Sequence, residues 1–573
     1  MRKSAIIRIR IITGFVLVLA AILIARLYFI QLYSHEDYLK KGEQQYVHTV
    51  RDLYERGSIY FTTKDNERVS AATIQAGFVL ALDASRLGDE TERVYEALNA
   101  LVPIDKDAFM KQAGRTDRTY QEVATEIDSE TADTIKALNL PGVQLYRQQW
   151  RYYPGQSLAA RTVGFVGFSD TSGDVQTGRF GLELYHDEVL TRSAQKQSVD
   201  FFAEIFTNLG NVVFDNKPAR TGDVVTSIEP TVARMLDNKL AEVNDLYHSK
   251  LTGGIIINPQ NGEIYAMNVV PTFDLNERAG KDIQDVRNPL VQETYEMGSI
   301  IKALTMASGL DSGAIVPSTT YYDSGSLELN TFTIRNYDGR GRGTVDMQQI
   351  LSQSLNTGVA FITRTMGNAA FRDYFKALKL DSETGIDLPY EAHGNLNNLK
   401  SPRDVEYATA SFGQGIALTP IATVRALSTL GNGGHLITPH IATHIVYENG
   451  NEQAIQYPQG EQVFKPETSE TISRMLTRVV DEALRGGKVK MEHYAIGAKT
   501  GTAQIPNPVG GGYYDDRFLH SFFGYFPAYE PKYLIFLYTV EPKGVQYASE
   551  TLTEPFMDIT KFLINYYNVP PDR

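Results

Sequence analysis

The sequence predicts an α+β protein in which an antiparallel sheet is assembled from distant segments and an all-helical lobe is inserted between them. Three observations predict it. Gly253–Gly262 and Glu263–Val270 are two β-branched runs meeting at Asn258-Pro-Gln-Asn-Gly262, which is a hairpin signal. Ala498–Gln504, His520–Phe526 and Tyr533–Val540 read as strands near the other end of the chain. The interval 290–435 between them is mostly helical, with loops at 317–345 and 385–402. Strands at both ends with helices between them imply one sheet closed over an inserted lobe.

The elements follow in chain order. Residues 1–10 carry Arg2, Lys3, Arg8 and Arg10 without an acid, and Ile11 to Ala25 is uncharged and apolar. Ile11–Ile30 supplies the roughly 20 residues a bilayer span needs, with Arg26 snorkelling to the far interface beside Tyr28 and Tyr33. No small-x-small cleavage site follows the apolar core, so the segment is read as a retained anchor over 11–33 and not as a signal peptide. The positive flank places the tail 1–10 in the cytoplasm and the chain after about residue 34 outside, as a single-pass protein of the plasma membrane.

Residues 34–216 form a mixed, polar module. It has a strand-like run at Phe78–Leu82, acid-rich helical runs near 87–101 and 120–138, and turn signals at Pro154-Gly155, Gly173, Gly178 and Asn208-Leu-Gly-Asn211. No nucleophile constellation lies there, and the segment reads as an elongated pedestal holding the next domain off the membrane. Composition shifts at Thr221–Pro230, a helical pattern runs to about Tyr247, and a domain spanning 217–573 closes with a helix at Thr553–Tyr567. A chain of 573 residues is expected to hold two or three such domains.

Composition excludes several chemistries. With 55 basic and 68 acidic residues the net charge is -13, which disfavours nucleic acid as a partner. No cysteine is present, which removes disulfides and thiolate catalysis. The ten histidines show no ligand spacing, so no metal site is expected.

One stretch carries chemistry. After Gly298 the residues Ile300, Ile301, Ala303, Leu304, Met306, Ala307 and Leu310 make a helix that is apolar nearly all round, as a buried central helix is. Ser299 opens it, and Lys302 lies one turn on, on the same face. A serine hydroxyl is a weak nucleophile until a base takes its proton. A lysine can be that base if desolvation, a helix N-terminus or a second cation lowers its pKa. Ser-x-x-Lys alone decides little, because Ser193-Ala-Gln-Lys196 also matches, in a polar context. Two further motifs follow in order. Ser354-Leu-Asn356 begins 55 positions after Ser299, and Lys499-Thr-Gly-Thr502 begins 200 positions after it.

This ordered triplet is that of serine enzymes that react with penicillin. From about residue 40 onward the chain resembles the class B penicillin-binding proteins, the monofunctional peptidoglycan D,D-transpeptidases. Further matches are Arg56-Gly-Ser-Ile59, Arg151-Tyr-Tyr-Pro-Gly155, Gly178-Arg-Phe-Gly-Leu-Glu183, Asn261-Gly-Glu-Ile-Tyr-Ala-Met267, Gly385-Ile-Asp-Leu-Pro389, Ser411-Phe-Gly-Gln-Gly415 and Phe526-Pro-Ala528. Met297 stands where the family usually has proline, and Ala498 where glycine often precedes Lys-Thr-Gly. The large glycosyltransferase domain of class A relatives is not expected, since only the linker-like module precedes residue 220. The resemblance implies the fold shared by penicillin-binding proteins and serine β-lactamases, with 34–216 as the dimerisation or pedestal domain and 217–573 as the transpeptidase domain.

The resemblance also implies roles. Ser299 attacks the penultimate D-alanine carbonyl of a D-Ala-D-Ala stem peptide, and Lys302 is the base. The backbone N–H groups of Ser299 and Thr502 form the oxyanion hole. Ser354 relays a proton to the leaving amine, and Asn356 holds the donor's backbone. Lys499 supplies a fixed positive charge that helps keep Lys302 neutral. With Thr500, Gly501 and Thr502 it makes up the carboxylate-binding strand. No cofactor is implied, β-lactams are the expected inhibitors, and a lipid II glycosyltransferase and other wall-synthesis or division proteins are the expected partners. Rival readings are a β-lactamase or penicillin sensor of the same fold with Glu391 activating water, a D,D-carboxypeptidase, and a wall-synthesis scaffold. A division role is preferred to side-wall elongation.

Overall fold

The computed structural model describes residue 14 and residues 55–168, 176–192, 221–277, 283–458 and 460–573. Apart from Gly14, the expected span Ile11–Ile30 lies outside these residues, as do Ser193–Lys196 and the turn signals at Gly173 and 208–211. Among the described residues no helix is long and apolar enough to cross a membrane.

The described chain divides into two compact units. The smaller is built on Ile74–Trp150. In it the end of the strand Arg68–Leu82 pairs antiparallel with Gln121–Ile127. The helices Thr91–Asn99, Lys106–Ala113 and Ser129–Ala137 bury Val94, Leu98, Phe109, Ala132 and Ile135 on Leu80, Leu82 and Ile127. Asp105 and Asp128 cap two of these helices by accepting from Ala108 N and Thr131 N, satisfying donors that the first turn leaves open. The helical run expected over 120–138 is therefore a strand followed by a helix. Gln121–Ile127 is acid-rich, but sheet pairing overrides its weak local preference.

The larger unit takes Arg56–Thr73, the described part of 151–192, and 221–573. Its centre is a five-stranded antiparallel sheet ordered Gly497–Pro506, Tyr513–Phe526, Tyr533–Val540, Leu251–Ile257, Ile264–Val270. The hairpin, the three late strands and the closing helix, here Thr553–Tyr566, stand where the sequence puts them. Tyr533–Val540 is buried at every position, so it reads as a continuous apolar run. The lobe between the strands is helical, but 320–346 is not a plain loop: Thr320–Asp323 pairs with Gly343–Asp346, and Ser326–Leu329 with Phe332–Arg335. In the outer pair, only alternate residues such as Tyr321 and Val345 reach the core, so the apolar signal is thin.

The motif segments Arg56-Gly-Ser-Ile59, Arg151–Gly155 and Gly178–Glu183 meet in one buried ion cluster within this unit. Arg56 Nε lies 2.7 Å from Glu183 Oε2, and Arg151 Nε lies 2.6 Å from Glu183 Oε1. Arg56 also reaches Asp187 at 2.7 Å, and Arg151 donates to the Gly57 carbonyl.

Candidate active site

The helix Ile301–Asp311 is buried at every residue except Leu310 and packs against the helices Asn356–Met366 and Pro466–Arg478. Ser299 sits just before it in the single 3₁₀ turn Gly298–Ile300. Gly298 has φ +64°, and a Cβ there would come within 2.8 Å of the Thr502 carbonyl oxygen. Only glycine lets the turn press onto the edge strand Gly497–Pro506. A Cβ on Gly501 would come within 2.8 Å of the Met297 carbonyl, which also accepts from Ser521 Oγ at 2.7 Å. Ser299 is thereby seated beside Thr502.

Lys302 is fully buried, and its Nζ donates to the Ser354 carbonyl at 2.6 Å and to Ser354 Oγ at 3.1 Å. Lys499, 3% exposed, donates from the other side to Ser354 Oγ at 3.1 Å and to the Thr500 carbonyl at 3.0 Å. Among the described residues neither lysine has an ion-pair partner. Burial drives Lys302 well below the ordinary lysine value, and the neighbouring Lys499 adds to the effect. Burial lowers Lys499 itself to about 7. Desolvation is thus the larger cause of Lys302's lowered value, and the neighbouring Lys499 the smaller.

Ser354 has φ +54°, a left-handed conformation that a non-glycine residue adopts at a cost on the order of 1 kcal/mol. That turn aims its hydroxyl between the two ammonium groups. Asn356 begins the following helix and donates from Nδ2 to the Arg335 carbonyl at 2.8 Å. Ser299, Lys302, Ser354, Asn356, Lys499, Thr500 and Thr502 all line one cleft of about 790 Å³. Gly501 does not line it, because strand alternation turns it beneath the loop that carries Ser299. No hydrogen bond joins Ser299 Oγ to Lys302 among the described residues. The contact expected across one helical turn is replaced by the contacts of Lys302 to Ser354.

The two departures from the family pattern have local explanations. Ala498 pairs across strands with Gly524, whose missing side chain leaves room for the alanine methyl. Met297 is fully buried in place of the usual proline, and its carbonyl anchors the loop. Glu391 accepts from Thr384 N at 2.8 Å and Gly385 N at 3.3 Å and does not line the cleft, so it is poorly placed to activate water at Ser299.

Sequence reasoning missed Glu296. Its carboxylate accepts from Gly415 N at 3.0 Å and from Tyr513 Oη at 2.9 Å, joining the Ser299 loop, the glycine turn 411–415 and the hairpin end at Tyr513. Burial pushes its carboxyl up to about 7. Its place three residues before Ser299 was the available signal. Tyr337 and Tyr547, which also line the cleft, form an edge-on pair 5.8 Å apart that no local pattern marks.

Comparison with known proteins shows the family and the fold. A family model described as penicillin-binding protein transpeptidase domain matches residues 252–561, and one described as penicillin-binding protein dimerisation domain matches 53–225. The chain is 31% identical over 481 residues to Stage V sporulation protein D of Bacillus subtilis, covering 83% of this chain and 71% of that protein. It is 24% identical over 576 residues to peptidoglycan D,D-transpeptidase FtsI of Escherichia coli, covering 99% and 92% respectively. Among solved structures, penicillin-binding protein 2X of Streptococcus thermophilus superposes with a TM-score of 0.70 at 19% identity, covering 90% of this chain and 80% of that one. Penicillin-binding protein 3 of Mycobacterium tuberculosis, complexed with aztreonam, superposes at 0.67 with 21% identity, covering 91% and 97%. These likenesses show the fold.

Proposed function

The chain belongs to the penicillin-binding protein transpeptidase family, and from that premise we propose that it crosslinks peptidoglycan stem peptides through an acyl-enzyme on Ser299. The observation that carries the reading is the convergence of two buried, carboxylate-free lysines on Ser354 Oγ inside the cleft that Ser299 borders. Lys302, held neutral by burial, takes the Ser299 proton as Oγ attacks the penultimate D-alanine carbonyl. The N–H groups of Ser299 and Thr502 receive the developing oxyanion, an arrangement that contributes about 10²–10³ in rate. As Ser354 passes its hydroxyl proton to the departing D-alanine amine, it takes in exchange from Lys302 the proton that Lys302 removed from Ser299. Lys499, Thr500 and Thr502 bind the terminal carboxylate. The amine of a second stem peptide then displaces Ser299 and forms the crosslink. A β-lactam, whose strained amide mimics D-Ala-D-Ala, remains as a stable acyl group.

The reading extends to a membrane-anchored protein with residues 1–10 cytoplasmic, a span at 11–33, a pedestal over 34–216 and the catalytic domain outside the plasma membrane. It also extends to work beside a lipid II glycosyltransferase at the septum. Similarity to relatives named FtsI and PenA supports the division type.

The test is covalent labelling by a fluorescent penicillin. Full-length protein takes the label at one site and releases it slowly, and Ser299→Ala takes none. Label retained by Ser299→Ala would sink the nucleophile assignment. Penicillin turnover at a kcat on the order of 1–10³ s⁻¹ would make the protein a β-lactamase.

A further inference from the structure

A second cavity, of about 540 Å³, lies beside the catalytic cleft, and Arg485 lines both. Its walls carry Arg485, Lys488, Lys490 and Lys561 against one carboxylate, Glu554, over an apolar floor that includes Val489 and Met557. Four cations to one anion is a local reversal in a chain whose net charge is -13. Among the described residues the ammonium groups of Lys488, Lys490 and Lys561 make no ion pair or hydrogen bond, and Arg485 approaches Glu554 no closer than 3.9 Å. Acidic partners are abundant elsewhere on this surface, so a concave cluster of three unpaired lysines and a loosely paired arginine suits an anion and is not a neutralised face.

The backbone between cleft and groove is irregular in a way that serves this placement. A π-helical turn, Val479–Ala483, ends the helix Pro466–Arg478, and three successive residues then take left-handed conformations: Arg485 at φ 50°, Gly486 at φ 67° and Gly487 at φ 77°. π-turns are rare and concentrate at functional sites. A left-handed arginine is strained and persists only where its surroundings impose it. Here the turn sets the guanidinium on the border shared by the two cavities.

Resting on the transpeptidase reading above, we infer that this groove is the carboxylate-binding arm of the acceptor site. It would hold the free carboxylates of the second stem peptide while that peptide's amine reaches the acyl group on Ser299. The donor's terminal carboxylate is already accounted for at Lys499, Thr500 and Thr502. The acceptor brings carboxylates of its own, and the groove opens from the same cleft with cations to match them. In the transfer step the amine nitrogen bonds to the acyl carbon, the ester bond to Ser299 Oγ breaks, and the amine proton returns to Ser299 Oγ through Lys302. The groove takes no part in that bond-making and acts on the acceptor alone.

The test uses full-length protein and the variant Lys488→Gln/Lys490→Gln/Lys561→Gln, three exposed positions whose neutralisation leaves packing intact. The donor is a D-Ala-D-Ala peptide. The acceptor is a synthetic peptide with one free amine and two carboxylates, compared with the same peptide amidated at both. Fluorescent-penicillin acylation is expected to stay within twofold. KM for the dicarboxylate acceptor is expected to rise roughly tenfold at low salt with kcat little changed, and the difference to shrink as salt screens the pairing. The amidated acceptor and a free D-amino acid acceptor should not distinguish the two proteins. Equal acceptor kinetics in variant and wild type, or equal losses with the amidated peptide, overturn the inference and leave the transpeptidase reading standing. A parallel fall in penicillin acylation also overturns it, because the lysines would then serve the donor site or the fold. Wild-type protein that takes penicillin but transfers to no amine overturns both readings together.

Discussion

The larger unit buries two clusters of cations and treats them in opposite ways. Arg56 and Arg151 are clamped on the fully buried Glu183. Burial alone raises that carboxyl, but Arg151 and Arg56 outweigh it, and it stays below the ordinary carboxylate value. Lys302 and Lys499 converge instead on a hydroxyl with no carboxylate to meet them, and burial lowers both. Burying charge requires either a partner or the loss of the charge. The first solution gives an inert joint between Arg56, Arg151 and Glu183. The second gives a lysine able to accept a proton near neutral pH, which is what a serine nucleophile needs. Guanidinium suits the first role because it does not deprotonate in proteins, and ammonium suits the second because it does.

Three substitutions sharpen the contrast, from the largest effect to the smallest. Lys302→Met keeps the volume and removes the base, so second-order acylation by penicillin should fall about 10²–10⁴-fold. Its urea midpoint should hold or rise, because a buried amine that must give up its proton on folding has been replaced by an apolar side chain. A large loss of stability would mean Lys302 is structural. Glu183→Ala should do the reverse. It strands two buried guanidiniums and should cost about 3–5 kcal/mol in unfolding free energy. The fraction still folded should acylate at the normal rate, and a rate that falls with stability intact would move Glu183 into the chemistry.

Lys499→Met is the subtlest. Lys499 has a folded pKa of about 7 against an ordinary 10.5, so the unfolded chain holds more protons between those values. Wild-type stability should therefore climb as pH rises from about 7 to 10.5, and the variant should lose that lysine's share of the climb. Without the neighbouring charge Lys302 should titrate higher, moving the acid limb of the acylation profile to higher pH. The move is partial, since burial is the larger cause of its depression. An acid limb that stays in place would show that burial alone sets the base.

Much of this was legible in the sequence for a physical reason. A helix apolar on every side has to be central, and that property separated Ser299-Ile-Ile-Lys302 from Ser193-Ala-Gln-Lys196. The strands Tyr533–Val540 and Leu251–Ile257 declared themselves because both of their faces are almost wholly buried. What escaped were features that exist only after distant segments meet. The strand Gln121–Ile127 is acid-rich and becomes a strand through its neighbour. The motifs around Arg56, Arg151 and Glu183 were visible one by one, but their convergence on one carboxylate was not. Arg485 carries no local signature and Glu296 only its nearness to Ser299, and their meaning comes from the cavities and loops they join.

The order of the five strands also has a consequence for timing. Tyr533–Val540 lies between Leu251–Ile257 and Tyr513–Phe526, so the strand bearing Lys499 attaches to the earlier hairpin only through a segment that follows both in the chain. During biosynthesis every motif from Ser299 to Lys499 emerges before the strand that unites them. Ser299 and Lys499 are therefore held in one cleft only after Tyr533–Val540 has been made and paired on both sides.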